Sequence, residues 1–221
     1  MNKNNIYILL ISLLLMSCSD ESIMNEISNQ AIRFSIGFPD KINTRATTND
    51  IFETSFEEGD EIGIFIYKRS DTQESSTENN ELYINNEKMT YHAGSWQLDS
   101  LIYYPDDESV LDIYAYYPYQ AAATVEELKY DALVEMNDLL TASALGMNKD
   151  VKTIPLKFEH LLSLVHISIE KTENIPNFDE TFSAYFHGIA SGKYNLATKT
   201  INNPEEGYVK MTLIEIGRAH V

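Results

Sequence analysis

Cysteine is nearly absent from this chain: Cys18 is the only one in 221 residues. A single thiol has no intrachain partner, so a disulfide framework is excluded. Positive charge is scarce as well. Sixteen Lys and Arg stand against 34 Asp and Glu, giving a formal net charge of −18. Phosphate backbones would repel such a chain, so nucleic-acid binding is disfavoured, and the acidity suits a solvated surface in an outside compartment. GxSxG, P-loop, GxGxxG and HExxH patterns are all missing, which leaves no recognisable catalytic motif. Helix-period patterning is sparse, and there is no internal repeat or low-complexity block.

What is present begins with a leader. Lys3 precedes an apolar run from Ile6 to Met16, too short to span a membrane easily and typical of a signal peptide covering residues 1–17. The run ends in Leu15-Met16-Ser17-Cys18, which resembles the lipobox of bacterial lipoproteins. That resemblance implies cleavage before Cys18 and acylation of its thiol and new amine. Several acyl chains anchor stably where one does not, at about 0.8 kcal/mol per buried CH₂. Residues 18–30 then read as a polar tether, and the acidic Ser19-Asp20-Glu21-Ser22 resembles a surface-export signal. At the other end, Ile216 to Val221 resembles a translated sequencing adapter, so the natural chain is expected to continue past about Glu215.

Between these ends, short runs rich in Ile, Val, Tyr, Phe and Thr alternate with polar turns, which predicts an all-β fold. Ile32, Phe34, Ile36 and Phe38 alternate with polar or small residues, a period-2 strand with one buried face. Pro39 stops it, and a polar linker around Arg45 follows. Further strands are expected at 61–67, 82–84, 89–92, 96–98 and 110–117, with Asn85-Asn86 as a turn. A short helix is expected over 125–133. Strands at 181–189, 192–196 and 208–214 are separated by turns at Ser191-Gly192 and Asn202-Asn203-Pro204. Two β-sandwiches are expected, at 31–155 and 156–215, the second truncated.

No side chains suggest catalysis, a cofactor or a metal. His92, His160, His166 and His187 include no close pair on a helix, so structural roles are expected. The acidic turns Glu57, Glu58, Asp60, Glu61 and Asp106, Asp107, Glu108 read as solvated. Calcium is the alternative, though it needs more oxygen ligands than are visible. Tyr103, Tyr104, Tyr114, Tyr116, Tyr117 and Tyr119 form an aromatic concentration. One face in a core and a tyrosine-lined outer face would explain it without a ligand. The alternative is a monomeric surface lipoprotein that binds glycans through exposed aromatics.

Several stretches together resemble the fimbrillin family, the subunits of protease-assembled pili. They are the lipobox, Thr44-Arg45-Ala46-Thr47, Glu58-Gly59-Asp60-Glu61-Ile62-Gly63-Ile64-Phe65, Trp96, Ile113 to Tyr119, Asp138-Leu139-Leu140, and Leu156 to Leu164. Phe56 stands where a tryptophan is usual. The resemblance implies tandem transthyretin-like β-sandwich domains and export as an outer-membrane lipoprotein. It also implies cleavage by an arginine- or lysine-specific protease, with Arg45 at the matching position. Loss of the strand carrying Ile32, Phe34, Ile36 and Phe38 would then open a groove for a donor strand. The implied partners are other fimbrial subunits, the processing protease, the outer membrane through the lipid anchor, and host or bacterial surface ligands.

Overall fold

The computed structural model describes residues 30–39, 55–69, 80–105, 109–133, 138–162 and 183–211. Cys18, Arg45, His166, the turn at 106–108, the leader and the tether to residue 29, and the terminal stretch 216–221 lie outside the described residues. In chain order the strands are β1 (Phe34–Gly37), β2 (Glu61–Lys68), β3 (Glu81–His92), β4 (Ser95–Leu98), β5 (Leu111–Tyr117) and β6 (Leu128–Asp131). They continue as β7 (Leu140–Met147), β8 (Ile154–Lys157), β9 (Glu159–His160), β10 (Tyr185–Asn195) and β11 (Thr200–Lys210). The fold is all-β, with no helix among the described residues.

Six strands form an antiparallel sheet in the order β4-β3-β2-β5-β7-β9. Its centre is buried on both faces, which explains why β2 and β5 read as near-continuous apolar runs. Ile62, Ile64, Ile66, Leu111, Ile113, Ala115, Leu140 and Ala142 line one face. They pack against Ile32, Ile102, Tyr104, Ile154, Leu156 and Phe158. Phe65, Tyr67, Tyr114 and Tyr116 line the other and pack against Val125, Leu128, Leu139, Tyr194 and Leu196. The expected tyrosine-lined outer face is therefore a second core. Alternation placed Tyr114 and Tyr116 on the correct side of β5, but that side is roofed by the chain between β5 and β6 and by the β10 strand.

The first core is a sandwich between the six-stranded sheet and a two-stranded parallel ribbon, β1 with β8. The third sheet, β11-β10-β6, is antiparallel. Its hairpin leaves Tyr185, Phe186, Ile189 and Tyr208 exposed. The expected boundary between 155 and 156 falls inside β8.

Four local expectations are overturned. Residues 128–131 form β6 rather than a helix. Thr124 receives the Glu127 amide on its hydroxyl at 3.1 Å, as a helix N-cap would. The chain then opens, because pairing β6 with β10 sets the buried Leu128 opposite Tyr194; tertiary pairing outweighs helix propensity. Asn85-Asn86 is a bulge within the continuous β3, not a turn. Asn86 takes φ 51° there, accepts from the Tyr116 hydroxyl at 2.7 Å and donates to the Gln120 carbonyl at 2.9 Å. Ser191-Gly192 lies inside the continuous β10, where the register with β11 shifts on either side of Ser191, and Asn202-Asn203-Pro204 lies inside β11. The true turn is 196–199, held by Asn195, whose side-chain oxygen accepts from the Ala197 and Thr198 amides at 2.9 Å each.

Among the described residues, one charged side chain is fully buried. Asp112 on β5 accepts from Arg69 Nε at 3.1 Å and Nη2 at 2.5 Å, and from the Gly146 amide at 2.8 Å. These bonds supply the compensation a buried carboxylate requires, and they tie β5 to β7 and to the end of β2.

The Glu58-to-Phe65 stretch has a compact logic. Gly59 takes φ +90° at the turn, where other residues would be strained. Asp60 accepts from the Glu57 amide at 2.7 Å and from the Tyr117 hydroxyl at 3.1 Å. Gly63 leaves room for the ring of Tyr116 on the neighbouring strand; an added Cβ would overlap that ring. Gly63→Ala should therefore destabilise the fold by about 3 kcal/mol through overpacking, seen as a lower urea midpoint. A second expectation concerns pH. Burial pushes the hydroxyls of Tyr114, Tyr116 and Tyr117 up to about 12, with Asp112 adding to the effect at Tyr114 and Asp60 at Tyr117. Unfolded tyrosine ionises near 10, so the unfolded chain loses these protons first. Their stabilisation is complete below about pH 10 and is lost as pH rises toward 12. Urea unfolding at stepped alkaline pH should show the midpoint falling in that window, with tyrosinate absorbance rising as the chain unfolds.

Candidate strand-acceptor site

The strand Ile32 to Phe38 is inserted between two other segments. In an extended chain, backbone groups of alternate residues point to opposite edges. The even-numbered ones bond to one segment: the Ile32 amide donates to the Ile102 carbonyl at 2.8 Å, and the Gln30 carbonyl accepts from the Tyr104 amide at 3.0 Å. Odd-numbered ones bond to the other: the Arg33 and Gly37 carbonyls accept from the Ile154 and Phe158 amides, each at 2.8 Å. Residues 102–104 are thus a rail along 30–32 on one edge, and residues 154–158 a rail along 33–37 on the other. The register with β8 runs Phe34 to Ile154, Ser35 to Pro155, Ile36 to Leu156 and Gly37 to Lys157.

Side chains follow the period-2 pattern. Ile32 is 4% exposed in the first core, and Phe34, Ile36 and Phe38 pack partly buried against the same cluster. One full and three partial burials are worth roughly 5–9 kcal/mol. That compares with about 5–15 kcal/mol for the stability of a whole domain, so the slot is costly to leave empty.

The rails have anchors of their own. The Tyr83 hydroxyl donates to the Tyr103 carbonyl at 2.8 Å, fastening the first rail to β3. The Tyr104 hydroxyl donates to the Val151 carbonyl at 3.1 Å, joining the first rail to the approach to β8. Pro155 is the polar asymmetry of β8. Since the 154 and 158 amides point at β1, the Pro155 nitrogen points away and carries no hydrogen for a strand arriving on that side.

At the downstream end of the slot Phe38 stacks on Phe56, centroids 4.9 Å apart. These residues flank the linker that contains Arg45. Phe56 also meets Trp96 at 4.9 Å, Phe158 at 5.6 Å and Tyr117 at 5.8 Å, all edge-on.

A family model described as fimbrillin-like matches residues 44–219. The chain belongs to the fimbrillin-like family. A candidate fimbrium tip subunit, Fim1C of Bacteroides ovatus (strain ATCC 8483), is 27% identical over 147 residues, 56% of this chain and 26% of that protein. Among solved structures, a candidate cell adhesion protein from Bacteroides uniformis ATCC 8492 is 22% identical. Its TM-score is 0.45, over 70% of this chain and 67% of that one. A fimbrial protein from Bacteroides ovatus ATCC 8483 is 19% identical with a TM-score of 0.38, over 84% and 46%. The chain spans about a quarter of the length of the curated relative it matches. The family match starts at residue 44, so Ile32 to Phe38 lies ahead of it.

Other candidate groups in this fimbrillin-like chain have structural partners. Glu58 pairs with His92 Nδ1 and accepts from the Ala93 amide at 2.9 Å; that backbone bond chiefly holds its carboxyl below the usual range. Glu61 pairs with Lys88 at 2.7 Å. With Asp60 in its turn, the first acidic cluster is engaged in the fold. His160 Nδ1 pairs with Asp138 at 2.7 Å, and the His187 ring lies 4.6 Å from Tyr208. No three His, Cys, Asp or Glu among the described residues converge as a metal site. Of the tyrosine concentration, Tyr104, Tyr114 and Tyr116 are buried, Tyr117 and Tyr119 are half-buried, and Tyr103 is 39% exposed.

Sequence reading missed the 102–104 rail, the Tyr104 strap and Phe56 as a hub. Ile102 and Tyr104 were visible only as two same-parity apolar residues in a short extended stretch. Ile32→Ala should lower stability by about 3 kcal/mol, the cost of a large-to-small change in a packed core. Arg33→Ala, on the exposed side of the same strand, should change it by less than about 0.5 kcal/mol. Urea unfolding of the two variants checks the facing.

Proposed function

We propose that this chain is a structural subunit of a cell-surface fimbria that supports adhesion and is assembled by donor-strand exchange, and that it is not an enzyme. In this reading the precursor is exported as an outer-membrane lipoprotein acylated at Cys18. An arginine-specific protease cuts after Arg45, and the strand carrying Ile32, Phe34, Ile36 and Phe38 leaves. A strand from another subunit takes its place between the rails. Tandem transthyretin-like domains complete the subunit. The partners are other subunits, the protease, the membrane through the lipid, and surface ligands of host or bacterial cells.

The observation that carries this reading is the position of the strand, paired with a rail on each edge and lying directly ahead of the linker holding Arg45. Such a strand can be exchanged for another of like pattern, because incoming backbone groups and alternate side chains recover the same ladder and burial. Until the cut, the strand covers an edge that would otherwise pair prematurely. Family membership supports the fimbrial setting.

Arg45→Ala should leave the precursor on the cell surface at full length and abolish its incorporation into fibres. Mass analysis of the N-terminus and immunogold counting of fibres read the two effects. Unchanged fibre incorporation of the uncut variant would overturn the proposal.

A further inference from the structure

The downstream end of the slot is shaped differently from the rest. Phe34 and Ile36 meet a general apolar cluster, whereas Phe38 meets rings. Its plane lies 23° from that of Phe56, with centroids at 4.9 Å, and 20° from that of His160, at 6.4 Å. Phe158, fully buried, backs Phe56 edge-on. The bond between His160 and Asp138 at 2.7 Å orients the imidazole, and Trp96 and Tyr117 brace Phe56 from other directions. Each wall belongs to a segment that stays when the strand leaves: Phe56 follows the linker, and Phe158 and His160 follow β8.

We propose that Phe56 and His160 form an aromatic socket that selects the strand filling the slot, demanding a flat ring at the position of Phe38. The inference rests on the strand-exchange reading and specifies its partner. The fitting segment is extended, runs parallel to β8, and places an aliphatic side chain where Ile32 sits. It carries apolar residues two and four positions later and an aromatic ring six positions later. A ring recovers stacking against Phe56 that a branched aliphatic side chain cannot. The ring also fixes register: slipping by one residue would turn it out of the slot, and slipping by two would offer the socket the side chain at 36 or 40.

The test uses the full chain nicked after Arg45 by an arginine-specific protease, with the nick confirmed by mass. Labelled peptides copying residues 30–39 are offered with Phe38 retained or replaced by Trp, Leu or Ala. The Phe and Trp peptides should bind about fivefold to tenfold more tightly than the Leu peptide, the range expected of one aromatic pair, and the Ala peptide should bind least. In a Phe56→Leu chain, which keeps an apolar filler and removes the ring, the Phe and Leu peptides should bind alike. Equal binding of Phe and Leu peptides to the unaltered chain would overturn the socket and leave strand exchange standing. A preference for Phe that persists in Phe56→Leu would overturn the role of Phe56. Failure of every peptide to bind would overturn both readings.

Discussion

The fold depends on how one short strand satisfies two edges at once. The strand's start, at residues 30–32, bonds to residues 102–104 on one edge, residues 33–37 bond to β8 on the other, and the side chains close the first core. Neither rail is paired in a ladder with the other. Without the strand, their inward amides and carbonyls would lose their partners and the apolar cluster would lose its cover. Unsatisfied backbone groups and exposed apolar surface are both unfavourable. The strand is therefore integral to the fold as it stands.

The six-stranded sheet makes such a slot workable because its stability does not come from one face alone. The second core, built on Phe65, Tyr114 and Tyr116, holds β2, β5 and β7 from behind. The Arg69–Asp112 pair and the Asp60–Tyr117 bond lock the sheet at separate places. Gly63 and Tyr116 show how tightly the two central strands are fitted. A framework fastened in this way can lose the cover of its front face without losing its strand order, which a single-core sandwich could not.

Much of this was legible because period-2 alternation is a strong local signal. It gave β1 its inward face and β2 its boundaries to within a residue. The turn chemistry of Glu58-Gly59-Asp60 was legible for the same reason, since glycine and aspartate act on their own neighbours. What failed were features decided by distant partners. Asn85-Asn86 and Ser191-Gly192 look like turns locally, yet long facing strands keep them within continuous strands, at places where the pairing register shifts. Glu126-Glu127-Leu128-Lys129 has helical composition, yet β10 claims it. The second core was hidden because tyrosine suits both a surface and an interior; only the fold decides, and here the hydroxyl of Tyr116 finds Asn86 and Gln120. The rail at 102–104 carries almost no local signal, since its role consists of being beside β1.

The two edges of β8 are chemically unequal. A strand in a two-stranded ribbon offers two edges, and both would ordinarily invite pairing. On β8 one edge faces β1 and the other carries Pro155, which has no amide hydrogen to give. Pairing on the far side would leave the visitor's opposing carbonyl without a donor, whereas the near side presents the amides of Ile154 and Phe158. Proline thus removes a donor from the far edge and leaves the donors that face β1 untouched. Edge chemistry favours one side, β1 lies parallel along it, and the apolar alternation of β1 sets which of its faces turns inward.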